Sequence, residues 1–324
     1  MKKKIGPLIL FALLILFVPA LALLAGALPN TSGGPGGQVY EGGDMILLDA
    51  ATGQTITVTE REYVIGALVC EMPALYETEA LKAQAVAIHT YALHLKETQT
   101  ANPNPDLKGA YFKVNSANYS GYVSRTGAQK LYGNQFDEYY TKMEQAVDAT
   151  LKYILIYDGG PISACFFAIS PGKTENSENV FSTALPYLVS VDSSFDQNAE
   201  GYLSEKKVTP EQFEELMIIY DSQFIAQGDP ETWAGTSRLS DAGTVMTQTI
   251  CGRQYAGTSL RQIFDLRSAA FTLSYDGQDF VFKVKGYGHD VGMSQYGANY
   301  LAGQGKTYVE ILNYYYTGAI LRQV

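Results

Sequence analysis

Apolar and polar positions divide this chain into recognisable segments. Residues 5–28 carry no charge and follow Lys2-Lys3-Lys4. A run of that length can cross a bilayer as a helix. Beyond it the runs shorten and alternate. Residues 45–48 and 54–59, on either side of Gly53, predict a β-hairpin. Thr59 and Glu62 have the spacing of a capping box, which predicts a helix start. Pro73 disfavours helical backbone at Met72, so that helix should stop near Glu71 or Met72. A second helix is predicted from about 79 to 98 and capped by Thr78. Leu81, Ala85, Ile88, Ala92 and Leu95 form its buried stripe, with Lys82, His89 and Lys96 on another face. Glu71 therefore falls at a corner between two helices. The second helix breaks at Asn102-Pro103-Asn104-Pro105.

Residues 107–136 show no clear period and read as an irregular excursion, a possible lobe over 101–136. Helical spacing returns over 137–150. A strand over 153–157 runs into a turn at Asp158-Gly159-Gly160-Pro161, with 162–169 as its hairpin partner. Residues 170–178 read as a polar loop. Thr209-Pro210-Glu211-Gln212 starts a helix that should reach about Phe224. Strands are expected over 245–252, 260–267 and 271–284, the last folded at Asp276-Gly277. Ser294 caps a helix ending at Gly303 or Gly305, Thr307 caps the last one, and Tyr314-Tyr315-Tyr316 reads as core. The fold class is α+β, with helices packed on antiparallel sheets.

Composition narrows the setting. The chain is 46% apolar and 17% charged, which is globular. A net charge of −10 argues against a nucleic-acid partner. Three leading lysines hold the N-terminus in the cytoplasm. Residues 1–29 are then a membrane anchor, 30–38 a flexible Gly-rich linker, and 39–324 an extracytoplasmic domain. Ala20-Leu21-Ala22 offers a cleavage site, but the length of the apolar run favours an uncleaved anchor. Twenty-four Tyr against one Trp suit packed cores and also the floor of a carbohydrate groove. Cys70, Cys165 and Cys251 lie far apart with no CxxC spacing, so no zinc knot is indicated. One disulfide with a free thiol, and three buried thiols, both remain open.

Two stretches carry candidate chemistry. At a helix C-terminus the macrodipole destabilises the Glu71 anion, and apolar Val69, Cys70 and Met72 add desolvation. Both push a carboxyl pKa up, which suits a general acid. On spacing alone, such a glutamate is more often a solvated surface residue. The second stretch is Gly286-Tyr287-Gly288-His289-Asp290-Val291-Gly292-Met293-Ser294-Gln295-Tyr296-Gly297-Ala298. Its glycines allow close approach of a ligand or another chain segment. A single His in such a loop is, on spacing alone, more often structural.

These stretches, with Glu79-Ala80-Leu81-Lys82-Ala83-Gln84-Ala85, Gly172-Lys173-Thr174-Glu175 and Leu266-Arg267-Ser268, resemble the stage II sporulation protein D family. That family comprises cell-wall lytic transglycosylases and related amidase enhancers. The resemblance spans residues 40–320. It implies a substrate groove between two lobes behind an N-terminal transmembrane helix. It implies cleavage of peptidoglycan glycan strands between N-acetylmuramic acid and N-acetylglucosamine during engulfment of the forespore, with a 1,6-anhydro product. Glu71 would act alone, as acid and then base. Lys173, Thr174, Ser294 and Gln295 would contact sugar groups, Tyr63 or Tyr296 would stack, and His289 would position the loop or touch glycan. The partners implied are a cell-wall amidase and a membrane sporulation protein. The alternative is a glycan-binding, non-catalytic amidase enhancer.

Departures from the family pattern are specific. His89 stands where the family commonly has arginine, so any substrate contact there falls to a residue that titrates near neutrality. Asp290 replaces a glycine and adds a carboxylate beside the expected groove. Pro171 replaces a glycine before Gly172-Lys173. Residues 95–164 hold neither His nor Cys, so the metal ligands of some members have no counterpart and no metal or cofactor is expected.

Overall fold

The computed structural model describes residues 42–324. The expected anchor (1–29) and the whole of the expected linker (30–38) lie outside the described residues. Among the described residues no helix is long and apolar enough to cross a membrane. The chain divides into two units. The first runs to Ala164 and adds Leu301–Asn313 and Gly318–Val324; the second holds Cys165–Tyr300 and Tyr314–Thr317.

The first unit opens with the expected hairpin, β1 (Asp44–Asp49) and β2 (Gln54–Thr59). Next comes α1 (Glu60–Glu71), which begins on the expected capping box: the Glu62 amide donates to Thr59 Oγ1, and the Thr59 amide donates back to the Glu62 carboxylate. Helix α2 (Thr78–Ala101) packs on α1; Thr78 sits inside its first turn, with Glu77 at the cap position. The stretch expected to be irregular is more ordered than its sequence suggests. It contains β3 (Phe112–Val114), parallel to β1, and α3 (Arg125–Tyr132), which starts on a Ser124 cap. Helix α4 (Phe136–Thr150) follows and packs against α1 and α2.

Val64, Ile65, Leu68, Leu81, Val86, Met143 and Val147 form the core of this unit. Each such side chain contributes about 1.5–3 kcal/mol when removed from water. Gly66 is needed for the close approach of α1 to the 122–123 segment, because a Cβ there would collide with the Val123 carbonyl and reach 2.6 Å from the Tyr122 ring. Strand β4 (Tyr153–Tyr157) pairs only briefly with β5 (Gly160–Pro161).

In the second unit, β6 (Phe166–Phe167) pairs with a distant strand and not with β4, so the hairpin expected over 162–169 is corrected. After α5 (Ser177–Phe181) and β7 (Leu203–Val208), α6 (Pro210–Tyr220) begins on the expected Thr209–Gln212 capping box. It ends four residues short of Phe224. Strands β8 (Ala234–Leu239), β9 (Val245–Ile250) and β10 (Arg253–Tyr255) form one antiparallel sheet.

The expected strand over 260–267 is instead α7 (Gly257–Ile263) and a turn. Leu260 and Phe264 are both buried and lie one helical turn apart, with the Phe264 amide donating to Leu260 O at 3.0 Å. β11 (Phe271–Tyr275) and β12 (Phe280–Lys285) form the hairpin predicted at Asp276-Gly277 and pair onward to β7. β13 (Met293–Ser294) then runs parallel to β6. Phe213 anchors the core, its ring centroid 4.3 Å from Phe280, 4.7 Å from Phe264 and 6.1 Å from Trp233.

α8 (Gln295–Gly303) follows at once, with the Gly297 amide donating to Ser294 Oγ as an N-cap bond. α9 (Tyr308–Tyr315) opens on a capping box between Thr307 and Glu310, and β14 (Ile320–Gln323) pairs with β4 in the first unit. The class is α+β as expected. The sheets are small and mainly antiparallel, but β1–β3 and β6–β13 are parallel pairs.

Candidate functional site

Glu71 is the last residue of α1, where Pro73 was expected to stop the helix. Met72 is extended at the C-cap, and its amide donates to Leu68 O at 3.1 Å. The corner that follows closes with a Tyr76 amide bond to Pro73 O. Lys142 of α4 fixes this corner from outside: its Nζ donates to Ala74 O at 2.8 Å and to Tyr76 O at 2.6 Å. Bonds from an ammonium group are stronger than neutral ones, so the corner is held by two charge-assisted ties. Leu75, between the two tied carbonyls, is 76% exposed.

The Glu71 side chain is half-buried. Burial pushes the Tyr63 phenol and the Cys70 thiol up from their ordinary values, and the Glu71 carboxylate adds to both shifts. Glu71 therefore lies against two groups that stay neutral at physiological pH. A carboxyl group with a solvent-facing side, an uncharged apolar wall and a rigid backbone can deliver and retrieve a proton.

His89 is not beside it. Its ring is 1% exposed, and Nε2 lies 3.3 Å from Glu60 Oε2, while Lys96 Nζ lies 3.4 Å from the other oxygen. Glu60 is the first residue of α1 and Glu71 the last. At ~1.5 Å rise per residue the two ends stand about 16 Å apart. The residue that departs from arginine thus supports the start of α1, where its contact is with a buried carboxylate.

In the second unit the remaining candidates lie on two loops tied together. Lys173 is exposed. Thr174 is buried; its amide donates to Val191 O, and its Oγ1 accepts from the Val191 amide. Glu175 is buried too: one oxygen accepts from the Asn176 amide and Asn179 Nδ2, the other from Ser240 Oγ at 2.5 Å. The Glu175 amide reaches across to Asp290 O at 2.6 Å. Ser294 is also buried and donates to Asp196 Oδ2 at 2.5 Å.

Asp196 joins both loops. The same oxygen accepts from the Ser170 amide at 2.6 Å, and Oδ1 accepts from Ser193 Oγ at 3.1 Å. Burial pushes its carboxyl up to about 6 against these three bonds, which lower it. Gly292 permits the parallel β6–β13 contact: its φ is +83°, and a Cβ would collide with the Cys165 carbonyl.

His289 is half-buried between the rings of Phe167 and Phe181, and its Nδ1 accepts from the Val291 amide at 3.2 Å. Burial and the Arg261 charge push its imidazole down to about 3, so it is neutral. Asp290 was expected to add a charged carboxylate to a groove. Instead it is buried at φ +68°, and burial holds its carboxyl well above the ordinary range. Gln295 is buried, and its Nε2 meets no hydrogen-bond partner among the described residues. Tyr296 is half-buried, its amide donating to Ala168 O.

Surface for a ligand is therefore offered by Lys173, His289 and Tyr296, while Thr174, Ser294 and Asp290 build the frame under them. Asp196 and Lys142 escaped sequence reasoning, since each stands in a stretch with no motif and acquires its role from partners 26 to 98 residues away. Cys70, Cys165 and Cys251 form no disulfide, and no His/Cys/Asp/Glu group suited to a metal occurs among the described residues.

The SpoIID family model, described as Stage II sporulation protein, matches residues 49–157, the part of the first unit that contains Glu71. Stage II sporulation protein D of Bacillus amyloliquefaciens is 35% identical, covering 79% of this chain and 72% of that one. Its counterpart in Bacillus subtilis (strain 168) is 36% identical over the same shares. A Bacillus subtilis protein named Amidase enhancer is 27% identical, covering 79% of this chain and 40% of that one. On the strength of the two closely covered relatives, the chain belongs to the stage II sporulation protein D family.

Proposed function

We propose that this protein is a membrane-anchored lytic transglycosylase that cleaves peptidoglycan glycan strands during sporulation. The observation that carries this reading is Glu71, half-buried at a helix C-terminus against the neutral Tyr63 and Cys70 and followed by a corner tied twice to Lys142. The Glu71 carboxyl gives its proton to the oxygen joining N-acetylmuramic acid to N-acetylglucosamine, and the C1–O bond breaks. The muramic acid C6 hydroxyl then attacks C1 and passes its proton to the Glu71 carboxylate. The product is a 1,6-anhydro end, no water is consumed, and Glu71 returns to its starting state. One carboxyl suffices, unlike the two-carboxylate hydrolytic schemes. Lys173, His289 and Tyr296 bind glycan hydroxyls or N-acetyl groups. Strands already stripped of stem peptides by an amidase suit it as substrate, and a membrane sporulation protein is its partner at the engulfing membrane.

Purified full-length chain in detergent, incubated with glycan strands lacking stem peptides, should release anhydro-ended fragments. Glu71→Gln should lower the rate by ~10²–10⁴-fold, the usual contribution of a positioned acid–base group. Wild-type cleavage by the Glu71→Gln variant would remove the catalytic reading. A second reading is favoured by the relative named Amidase enhancer: a glycan-binding protein that stimulates an amidase without cutting. Glycan binding without any cleavage by the wild-type chain selects that reading.

A further inference from the structure

Helix α6 buries one side and leaves an unusual surface on the other. Phe213 and Met217 face the core of the second unit. At 100° per residue, Glu211, Glu215, Ile218 and Ile219 cluster on the opposite side. Ile218 is 43% exposed and Ile219 74%; Tyr220, at the helix end, is 53% exposed and Ile225, just beyond it, 65%. Tyr220 is held in place by a bond from its hydroxyl to Ser259 Oγ at 3.0 Å. β-Branched residues are weak helix formers, so adjacent solvent-facing isoleucines serve neither the helix nor the core. Large apolar side chains exposed together on one helix face, as Ile218 and Ile219 are, mark interaction sites.

The charge beside them selects the occupant. Glu211 and Glu215 are exposed on the same face, with Glu214 half-buried next to it, and the chain as a whole carries −10. A second copy would bring like carboxylates together, and an anionic bilayer surface would be repelled. A basic protein segment would be drawn in and fixed in register. We infer that the outer face of α6 docks a partner protein through an amphipathic helix whose apolar stripe is flanked by Lys or Arg. The apolar stripe covers the isoleucines, and the cations meet Glu211, Glu214 and Glu215. Such helix-on-surface recognition is a recurrent mode, read through anchors spaced by one helical turn.

The test uses full-length protein in nanodiscs of zwitterionic lipid, with empty nanodiscs as the blank. The probe is a fluorescent synthetic helix of Leu and Lys at heptad spacing, followed by anisotropy. Binding to the loaded discs should exceed the blank. Ile218→Ser/Ile219→Ser, which leaves charge unchanged, should weaken it by about tenfold or more, as loss of central anchors does. Glu211→Gln/Glu214→Gln/Glu215→Gln should weaken it comparably while keeping the isoleucines. Trp233 emission, from the core behind α6, reports that both variants remain folded. Equal binding by the isoleucine variant and wild type overturns the inference, because the probe is then held by charge alone. It is also overturned if empty discs account for the signal. Self-association of the wild type that vanishes in Ile218→Ser/Ile219→Ser overturns it in favour of a second copy.

Discussion

Asp196 allows a stability prediction that separates hydrogen bonding from charge. Its Oδ2 accepts from the Ser170 amide and Ser294 Oγ, and its Oδ1 from Ser193 Oγ, which also bonds Tyr315 Oη at 3.0 Å. Asp196→Ala removes both acceptor oxygens with their three bonds and leaves the Ser170 amide buried. Each of the three lost bonds is worth about 1 kcal/mol, and an unsatisfied buried donor costs about 1–3 more, so the expected loss is ~4–6 kcal/mol. Asp196→Asn is different. With its carbonyl oxygen in the Oδ2 place, the amide NH₂ donates to Ser193 Oγ, which can turn its own hydrogen to Tyr315. Every bond is then kept without a buried charge, so the change should stay within about 1 kcal/mol at pH 4, where the wild-type carboxyl is protonated too, and the variant should be the more stable at pH 7.

The pH dependence has a definite sign. Burial pushes the folded carboxyl up to about 6, from its ordinary value of 3.8. The stabilisation it contributes is therefore complete below about 3.8 and lost as pH rises through about 6, a span worth ~3 kcal/mol. The difference between wild type and Asp196→Asn isolates this group from all others. Urea unfolding read through Trp233, the single tryptophan and part of the second unit's core, measures it. Asp196→Asn should gain on wild type by up to ~3 kcal/mol between pH 4 and pH 7. A difference that stays flat over that range, or an Asp196→Ala loss below 1 kcal/mol, refutes the reasoning.

Three further outcomes are expected. Lys142→Met should release the corner at 72–77, seen as faster amide exchange at Tyr76, at a cost of about 2–3 kcal/mol, with Lys142→Arg recovering part of it. Gly292→Ala should destabilise the second unit by more than ~3 kcal/mol in the Trp233 assay, since it combines a positive φ with a clash against Cys165 O. His289, pushed down to about 3, should keep the chemical shifts of a neutral imidazole from pH 8 to pH 5. Its stabilising share is present above the unfolded value of 6.5 and falls away as pH drops through 6.5 toward 3, opposite in sign to Asp196.

How much of this was legible in the sequence depended on whether the determining partner was local. The start of α1 was, because Thr59 and Glu62 satisfy each other within one turn, and Pro73 sets its end by sterics alone. The caps at Thr209, Ser294 and Thr307 were legible for the same reason. The parallel pairing of β6 with β13 joins segments with no shared local pattern, so residues 162–169 read as a simple hairpin partner. α7 is a single short helix whose Leu260 and Phe264 fit either period until the core they enter is known. His89 illustrates the limit at the candidate site. Helical spacing grouped it with Lys96, and the two do share a partner, but that partner is Glu60, eleven residues before Glu71. Ser294 was legible as a cap and illegible as the donor to Asp196.

Glu71 acting alone is tested most directly by running the cleavage of stripped glycan strands in H₂¹⁸O and weighing the new ends. Intramolecular attack by the C6 hydroxyl predicts 1,6-anhydro ends free of ¹⁸O from the wild type and their loss with Glu71→Gln. Reducing ends that carry ¹⁸O, or anhydro ends that persist in Glu71→Gln, would contradict it.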